Sequence, residues 1–299
     1  MTKEFIADWF KGLQDRICAS LEETDGTGKF KEDIWERAAG GGGRTRVIQG
    51  EFIEKGGVNF SAVHGDAPAQ LLKLLGVDSD AEQFFATGVS IVLHPVNPHM
   101  PIIHMNVRYF ELTDDIWWFG GGIDLTPHYV VDEQAKFFHQ SLRGACDKHD
   151  ADYYPKFKKW ADDYFFIKHR DETRGVGGIF FDRLKATDGF TKEQRWDFVK
   201  DIGETFVPIY THLAGLNADL PYTEDEKQWQ FLRRGRYVEF NLVCDRGTKF
   251  GLDTNGRTES ILMSLPAQAN WVYSHQTEAG SREEYTLQHL KKGIDWASD

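Results

Sequence analysis

The sequence predicts an α+β fold: a large antiparallel β-sheet flanked by α-helices on both sides, in a single domain. Three observations carry that expectation. Strand-like segments follow one another through short turns, helical segments come in blocks, and no Pro/Ser-rich linker divides the 299 residues. A doubly wound fold would alternate strand and helix regularly. With 40% hydrophobic and 27% charged residues, the chain has ordinary globular proportions and ample material for a core, which argues against a disordered or fibrous chain.

The first element reads as an amphipathic helix of the mature fold rather than a signal peptide. Phe5, Ile6, Trp9, Phe10, Leu13, Ile17 and Leu21 recur at helical spacing, broken by charged residues. Gly40 to Gly43 then reads as a flexible connector into a strand. A phosphate loop is the other reading, but no Gly-Lys-Ser/Thr follows. Val47–Ile53 and Val58–Val63 flank Glu54-Lys55-Gly56-Gly57 and predict a β-hairpin. A short helix is expected near Ala67–Leu75, and Ser79 with Glu82 predicts a capping box for another turn. Val89–His94 and Ile102–Leu112 read as strands joined by a loop holding Pro95, Pro98 and Pro101. Ile116–Gly120 reads as a third, ending in Gly120-Gly121-Gly122.

Asp132 is expected to cap a helix to about Lys148, and a second helix covers roughly Tyr154–Lys168. Gly177–Phe181 is short and apolar, hence a strand. Thr191 with Gln194 caps a long helix to about Leu213, which Pro208 should kink or break, and Thr223 with Glu226 caps another. Arg236–Asp245 alternates, with Tyr237, Glu239, Asn241 and Val243 on one side, and predicts a strand with Lys249–Leu252 as its hairpin partner. Ser281 and Glu284 begin a closing helix.

Charge narrows the function classes. With 35 Lys+Arg against 47 Asp+Glu, the net charge of −12 argues against a general nucleic-acid or anionic-membrane binder. It leaves room for a small anionic ligand held by a few local arginines. The 22 Phe, 10 Tyr and 9 Trp suggest a broad aromatic core or a pocket for a large flat ligand, and composition does not choose. Cys18, Cys146 and Cys244 are far apart and odd in number, so no disulfide framework follows and a reducing cytosol is the simple reading. No stretch approaches the ~20 apolar residues needed to span a bilayer.

Period-two alternation puts Ser90, Val92 and His94 on one strand face, and His104, Asn106 and Arg108 on one face of the next. If the proline loop closes a hairpin, both sets project from the same side. Such a set is costly to bury against apolar residues, so a polar pocket is the sharper reading and a wet sheet face the plainer one. Asp124 follows three glycines: it is either a carboxylate that meets a ligand N–H or a turn residue before Thr126-Pro127. Asn255-Gly256 is a turn signal that puts Arg257 at a loop tip, as an anion clamp or as a solvated turn arginine. His94, His104, His139 and His169 lie on separate elements without a tight metal signature, and the last two read as hydrogen-bonded structural histidines.

These segments together resemble one family, the oxygen-dependent coproporphyrinogen III oxidases of haem biosynthesis. The matching runs are GGGGRTRVIQG, FSAVHG, SIVLHPVNPHMPIIHMNVRYFEL, WWFGGGIDLTPHY, DYYPKFKKWADDYFFIKHRDETRGVGGIFFD and RGRYVEFNLVCDRGTKFGLDTNGRTESILMSLP, which span nearly the whole chain. The resemblance implies a cytosolic homodimer that converts two propionates of coproporphyrinogen III to vinyl groups, giving protoporphyrinogen IX. Molecular oxygen is then the oxidant, without flavin, haem or nicotinamide.

By the same resemblance Ser90 binds substrate, His104 is the proton donor, and Asn106, Val107 and Arg108 form a substrate-contacting run. Asp124 holds the pyrrole N–H groups, and Gly256 and Arg257 belong to a substrate-binding Gly-Gly-Arg. His94, His104, His139 and His169 match divalent-metal ligands of bacterial members, with manganese proposed, and residues from about 237 to 270 match a dimerisation segment. Asn255 departs from the first Gly of the triplet, Asp253 from Gln and Cys244 from Tyr. Two other function classes make different predictions: a metal-dependent oxygenase loses activity with chelators, and a tetrapyrrole carrier binds without releasing carbon dioxide.

Overall fold

The computed structural model describes residues 1–187, 189–253 and 256–298; Asn255, half of the turn signal read above, lies outside them. In chain order the elements are α1 (Lys3–Asp25), β1 (Lys31–Glu36), β2 (Gly41–Ile48), β3 (Ile53–Asp66), α2 (Ala69–Leu75), β4 (Gln83–Pro95), β5 (Ile102–Thr113) and β6 (Ile116–Thr126). Then follow α3 (Asp132–Asp147), α4 (Tyr153–Tyr164), β7 (Phe166–Ile167), β8 (Glu172–Thr173), β9 (Gly177–Leu184), α5 (Lys192–Asn217), α6 (Glu224–Glu239), a π-helix (Phe240–Cys244), α7 (Arg246–Asp253), α8 (Thr258–Leu262) and α9 (Arg282–His289). Among the described residues, seven strands form one antiparallel sheet in the order β1-β2-β3-β4-β5-β6-β9, with β7 and β8 paired apart. The fold is α+β, as the sequence predicts.

One sheet face builds the core. Val89, Ile91, Ile103, Met105, Val107, Tyr109, Phe119 and Ile123 are fully buried there with Ile6, Phe10, Phe198, Ile202 and Phe206 of α1 and α5. Each such side chain contributes ~1.5–3 kcal/mol by leaving water. Buried Gln14 ties α1 down by donating to the Arg44 and Val58 carbonyls, both at 2.7 Å. Thr191 and Thr223 close full capping boxes on α5 and α6, and Ser281 caps α9 as expected.

The other face is covered by the 237–265 region. Tyr237 packs on Val92 and Ile102, Ser260 bonds Thr45 at 2.8 Å, and the Ser264 carbonyl meets the His94 ring at 2.8 Å. Here the structure corrects the sequence reading. Arg236–Cys244 is the end of α6 plus the π-helix, Asp245 is its extended C-cap, and Lys249–Leu252 lies within α7. Buried Tyr237, Phe240 and Asn241 stand at i, i+3 and i+4, the helical spacing, so the alternation was a second pattern written over a helical one.

Other boundaries move for local reasons. The β2–β3 turn lies at residues 49–52, because the Asp25 carboxylate receives the amides of Phe52 at 3.0 Å and Ile53 at 2.8 Å. Gly56 and Gly57 are strand residues instead; a Cβ on Gly57 would stand 2.0 Å from Met263 Sδ. Gly40, at φ +119°, turns β1 into β2, and Gly41–Gly43 are strand rather than connector. Ser79 and Glu82 cap no helix; the Ser79 hydroxyl accepts from Ala81 N at 3.1 Å. β6 runs through all three glycines to Thr126, α4 stops at Tyr164, and α5 continues through Pro208 to Asn217. Among the described residues no helix is long and apolar enough to cross a membrane.

Candidate active site

The proline loop does close a hairpin, and the strand registers align its polar residues. Ser90 stands opposite Asn106, Val92 opposite His104, and His104 opposite Asp124, so all share the face under α6. One row crosses the whole sheet in register: Asp33, Thr45, Asn59, Ser90, Asn106, Gly122 and Phe180.

Asp124 is a strand residue, 1% exposed, and both its oxygens are hydrogen-bonded. Arg174 donates Nη2 to Oδ1 at 2.6 Å and Nε to Oδ2 at 3.1 Å, and His104 Nδ1 donates to Oδ1 at 2.7 Å. Burial pushes the carboxyl up, but the Arg174 charge and the His104 bond outweigh it and hold the group below the usual carboxylate range. Asp124 is therefore an ionised anchor; Oδ1 accepts two bonds and Oδ2 one, which leaves one acceptor position on Oδ2 for the pyrrole N–H contact that the resemblance implies. Because an ionised carboxylate only accepts, Nδ1 of His104 carries the proton and Nε2 points away from Asp124. The His104 side chain keeps 21% exposure.

Arg174 is fully committed as well. Its Nη1 donates to Asn241 Oδ1 at 2.9 Å, and its guanidinium lies 4.3 Å from the Phe165 ring, 4.8 Å from Tyr237 and 4.7 Å from Phe240. Sequence reasoning singled out Asp124 and missed this partner. A signal existed: an Asp buried in a sheet needs a cation, and Arg174 opens an Arg-Gly-Val-Gly-Gly run. Those glycines let the chain lie against β6, since a Cβ on Gly175 would stand 2.1 Å from the Leu125 oxygen and one on Gly178 2.0 Å from that of Ile123.

The remaining expected residues divide. Arg108, at the end of the same face, donates Nη1 to Asn106 Oδ1 at 2.8 Å and Nη2 to Asp182 Oδ1 at 2.9 Å. Ser90 is half-buried beside Asn106. Arg257 sits at the far end, over β1, bonded to Asp33 and 6.0 Å from the Trp35 ring. Gly256 donates its amide to the Gly251 carbonyl at 2.8 Å, and a Cβ there would crowd that oxygen at 2.6 Å. The Val107 side chain is 0% exposed in the core on the opposite face, so only its backbone is placed for the contact that the resemblance implies.

The four histidines of the expected metal set do not fit one ion. His139 is buried on α3 beside the core cluster, and both its ring nitrogens are used, by the Tyr154 hydroxyl and the Val176 carbonyl, each at 2.9 Å. His169 Nε2 meets Glu239 at 2.9 Å, His104 Nδ1 meets Asp124, and His94 Nε2 meets the Ser264 carbonyl. Only His94 Nδ1 is a buried ring nitrogen of this set without a partner. Among the described residues no three His, Cys, Asp or Glu side chains converge to hold a cation.

Comparison with known proteins points the same way as the residues. The family model described as coproporphyrinogen III oxidase matches residues 5–296. The chain is 50% identical over 297 residues to an oxygen-dependent coproporphyrinogen-III oxidase of Drosophila melanogaster, covering 95% of this chain and 75% of that protein. It is 51% identical over 301 residues to the chloroplastic coproporphyrinogen-III oxidase 1 of Arabidopsis thaliana, covering 96% and 77%. A chloroplastic oxygen-dependent enzyme of Glycine max is 50% identical over 298 residues, covering 95% and 76%. The chain belongs to the coproporphyrinogen III oxidase family.

Proposed function

We propose that this protein oxidatively decarboxylates two propionates of coproporphyrinogen III to vinyl groups, giving protoporphyrinogen IX in haem biosynthesis, with molecular oxygen as acceptor and no organic cofactor. The observation that carries the reading is the His104–Asp124–Arg174 cluster beside Arg108, on one sheet face of a chain in this family.

Each conversion removes carbon dioxide and two electrons. A propionate, one O2 and one proton give a vinyl group, CO2 and H2O2. The two electrons leave the Cα–carboxylate and Cβ–H bonds of the propionate, and the electron-rich pyrroles relay them to oxygen. Asp124 acts through His104: it fixes the ring so that Nε2 gives or takes the proton at the ligand. Arg174 keeps Asp124 ionised although the carboxylate is buried. Arg108, with Asn106 and Ser90, receives ligand carboxylate and polar groups, and Arg257 offers a second cation over β1. No step is assigned to a metal, because the histidines do not converge.

The resemblance also supports a homodimer built on residues 237–270, where Leu242, Val243, Phe250 and Leu252 are exposed. The free cysteines Cys18, Cys146 and Cys244 favour a reducing compartment such as the cytoplasm.

The test is anaerobic addition of coproporphyrinogen III followed by oxygen, with and without chelator. Two carbon dioxide per divinyl product, unchanged by chelator, is expected. Binding without carbon dioxide release would make the protein a carrier, and loss of turnover with chelator would restore a metal.

A further inference from the structure

Two ion pairs on the polar face differ in kind. Arg174 and Asp124 keep side-chain exposures of 3% and 2%, whereas Arg108 and Asp182 keep 37% and 31%. The second pair is open to exchange, yet its geometry is built into the sheet. Arg108 is on β5 and Asp182 on β9, with β6 between them, so the pair must cross a strand. It crosses at Gly120, where a Cβ would stand 2.6 Å from Asp182 Oδ1 and 2.8 Å from Arg108 Nε. Any side chain there would separate the two.

The β9 strand also bends to make the contact. Phe119 faces Leu184 while Gly121 faces Phe181, so three steps on β9 answer two on β6. Within this bulge Arg183 takes a left-handed φ of 54°. Its guanidinium stacks 4.3 Å from the Trp118 ring and bonds the Leu75 carbonyl, which anchors the bulge from outside. Bulges of this kind re-aim a side chain, and here the side chain is Asp182.

We propose that Asp182 is a resident carboxylate which a ligand carboxylate must displace from Arg108, and that it thereby sets the selectivity between tetrapyrroles carrying four and two carboxylates. This rests on the function proposed above, in which Arg108 receives a ligand carboxylate. With Asp182 present, that ligand group gains Arg108 only by breaking the existing pair, so the exchange nearly cancels. A ligand without a carboxylate at this position leaves the resident pair intact. Asp182 therefore brings the affinities of the four-carboxylate substrate and two-carboxylate product closer together, which limits substrate over-binding. The displaced carboxylate has room to move: Asp182 lines a cavity of about 290 Å³ whose other charged residues are Lys156, Arg183, Lys185 and Arg195 against Asp150 and Asp152.

The experiment is an anaerobic fluorescence titration of the wild type, Asp182→Asn and Arg108→Gln with coproporphyrinogen III and protoporphyrinogen IX at two salt concentrations. Asp182→Asn should tighten binding of the four-carboxylate ligand about fivefold, the scale of a partly exposed ion pair, with little change for the other. Its salt dependence should steepen, because one cation is left unpaired. Arg108→Gln should weaken binding of the four-carboxylate ligand alone, because Asp182, left without its partner, then repels the ligand carboxylate. Unchanged affinities in Asp182→Asn, with a clear loss in Arg108→Gln, would overturn the role of Asp182 and leave the proposed function standing. Weaker binding in Asp182→Asn would also overturn it, by making the residue a brace for Arg108. No effect of Arg108→Gln on either ligand would remove the underlying reading. Should Asp182→Asn fold poorly, the wild type alone decides: a strong preference for four carboxylates at low salt contradicts a resident competitor.

Discussion

Strand β5 serves two regions that share a backbone and differ in everything else. Ile103, Met105, Val107 and Tyr109 point into the core at 0% exposure, while His104, Asn106 and Arg108, alternating with them, stay half-buried under the α6 side. The apolar face is satisfied by packing, so its groups are interchangeable with others of similar size. The polar face is satisfied by named pairs, and each pair limits what its members can do next. Asp124 is held so tightly that it acts through His104; Arg108 is held loosely enough to change partners.

The sharpest break of this contrast is Asp124→Asn. It should cost about 3–5 kcal/mol of stability, because Arg174 is left buried without its counter-charge; the folded fraction should bind porphyrinogen within a few-fold of normal and lose turnover by roughly 10²–10⁴, the usual span for a positioned acid–base group. Steady-state carbon dioxide release measures this, and near-normal turnover would sink the role. A smaller effect with the opposite signature is expected at Val107→Ala, two bonds of parity away. Global stability should fall by about 2 kcal/mol through the cavity it leaves, with kcat/KM of the folded enzyme unchanged. Urea unfolding and kinetics together check it; a selective rise in KM would return the Val107 side chain to the ligand.

The histidines sharpen the comparison through pH. Burial lowers His139 to about 4, opposed only in part by its bond to the Val176 carbonyl. Its folded pKa lies below the unfolded value of about 6.5, so the unfolded chain binds more protons between those values. Stability from this group is therefore full above pH ~6.5 and is lost as the pH falls towards about 4. In His139→Gln the melting temperature should depend less on pH across that window; an unchanged profile would show that His139 takes up its proton equally in the folded and unfolded chain. The smallest effect belongs to Asp33→Asn. Its partner Arg257 is 30% exposed and Asp33 54%, so stability should shift by less than about 1 kcal/mol, with any change confined to ligand affinity.

Much of this was legible in the residues. Period two placed Ser90, His104, Asn106 and Arg108 on one side, and the registers put them there. The helix caps at Thr191, Thr223 and Ser281 were also readable, because capping is a local hydrogen-bond pattern. What failed depended on distant partners. The β2–β3 turn is fixed by Asp25, twenty-odd residues upstream, and Gly57 is small because Met263 needs the space. The strand β1 escaped notice because Lys31–Glu36 is an exposed edge with no apolar side to betray it. Arg174 lay in a glycine-rich run without periodicity, and the 236–252 helices carried an accidental alternation.

The central claim is that a tetrapyrrole lies on the polar sheet face with a carboxylate on Arg108 and the ring facing His104. A crystal structure with coproporphyrin III tests it most directly. The macrocycle should lie over β4–β6, with His104 Nε2 directed at it, Arg108 engaged by a propionate and Asp182 turned away. A ligand bound elsewhere, such as the cavity beside Tyr153 and Trp160, with the Arg108–Asp182 pair undisturbed, would contradict the account.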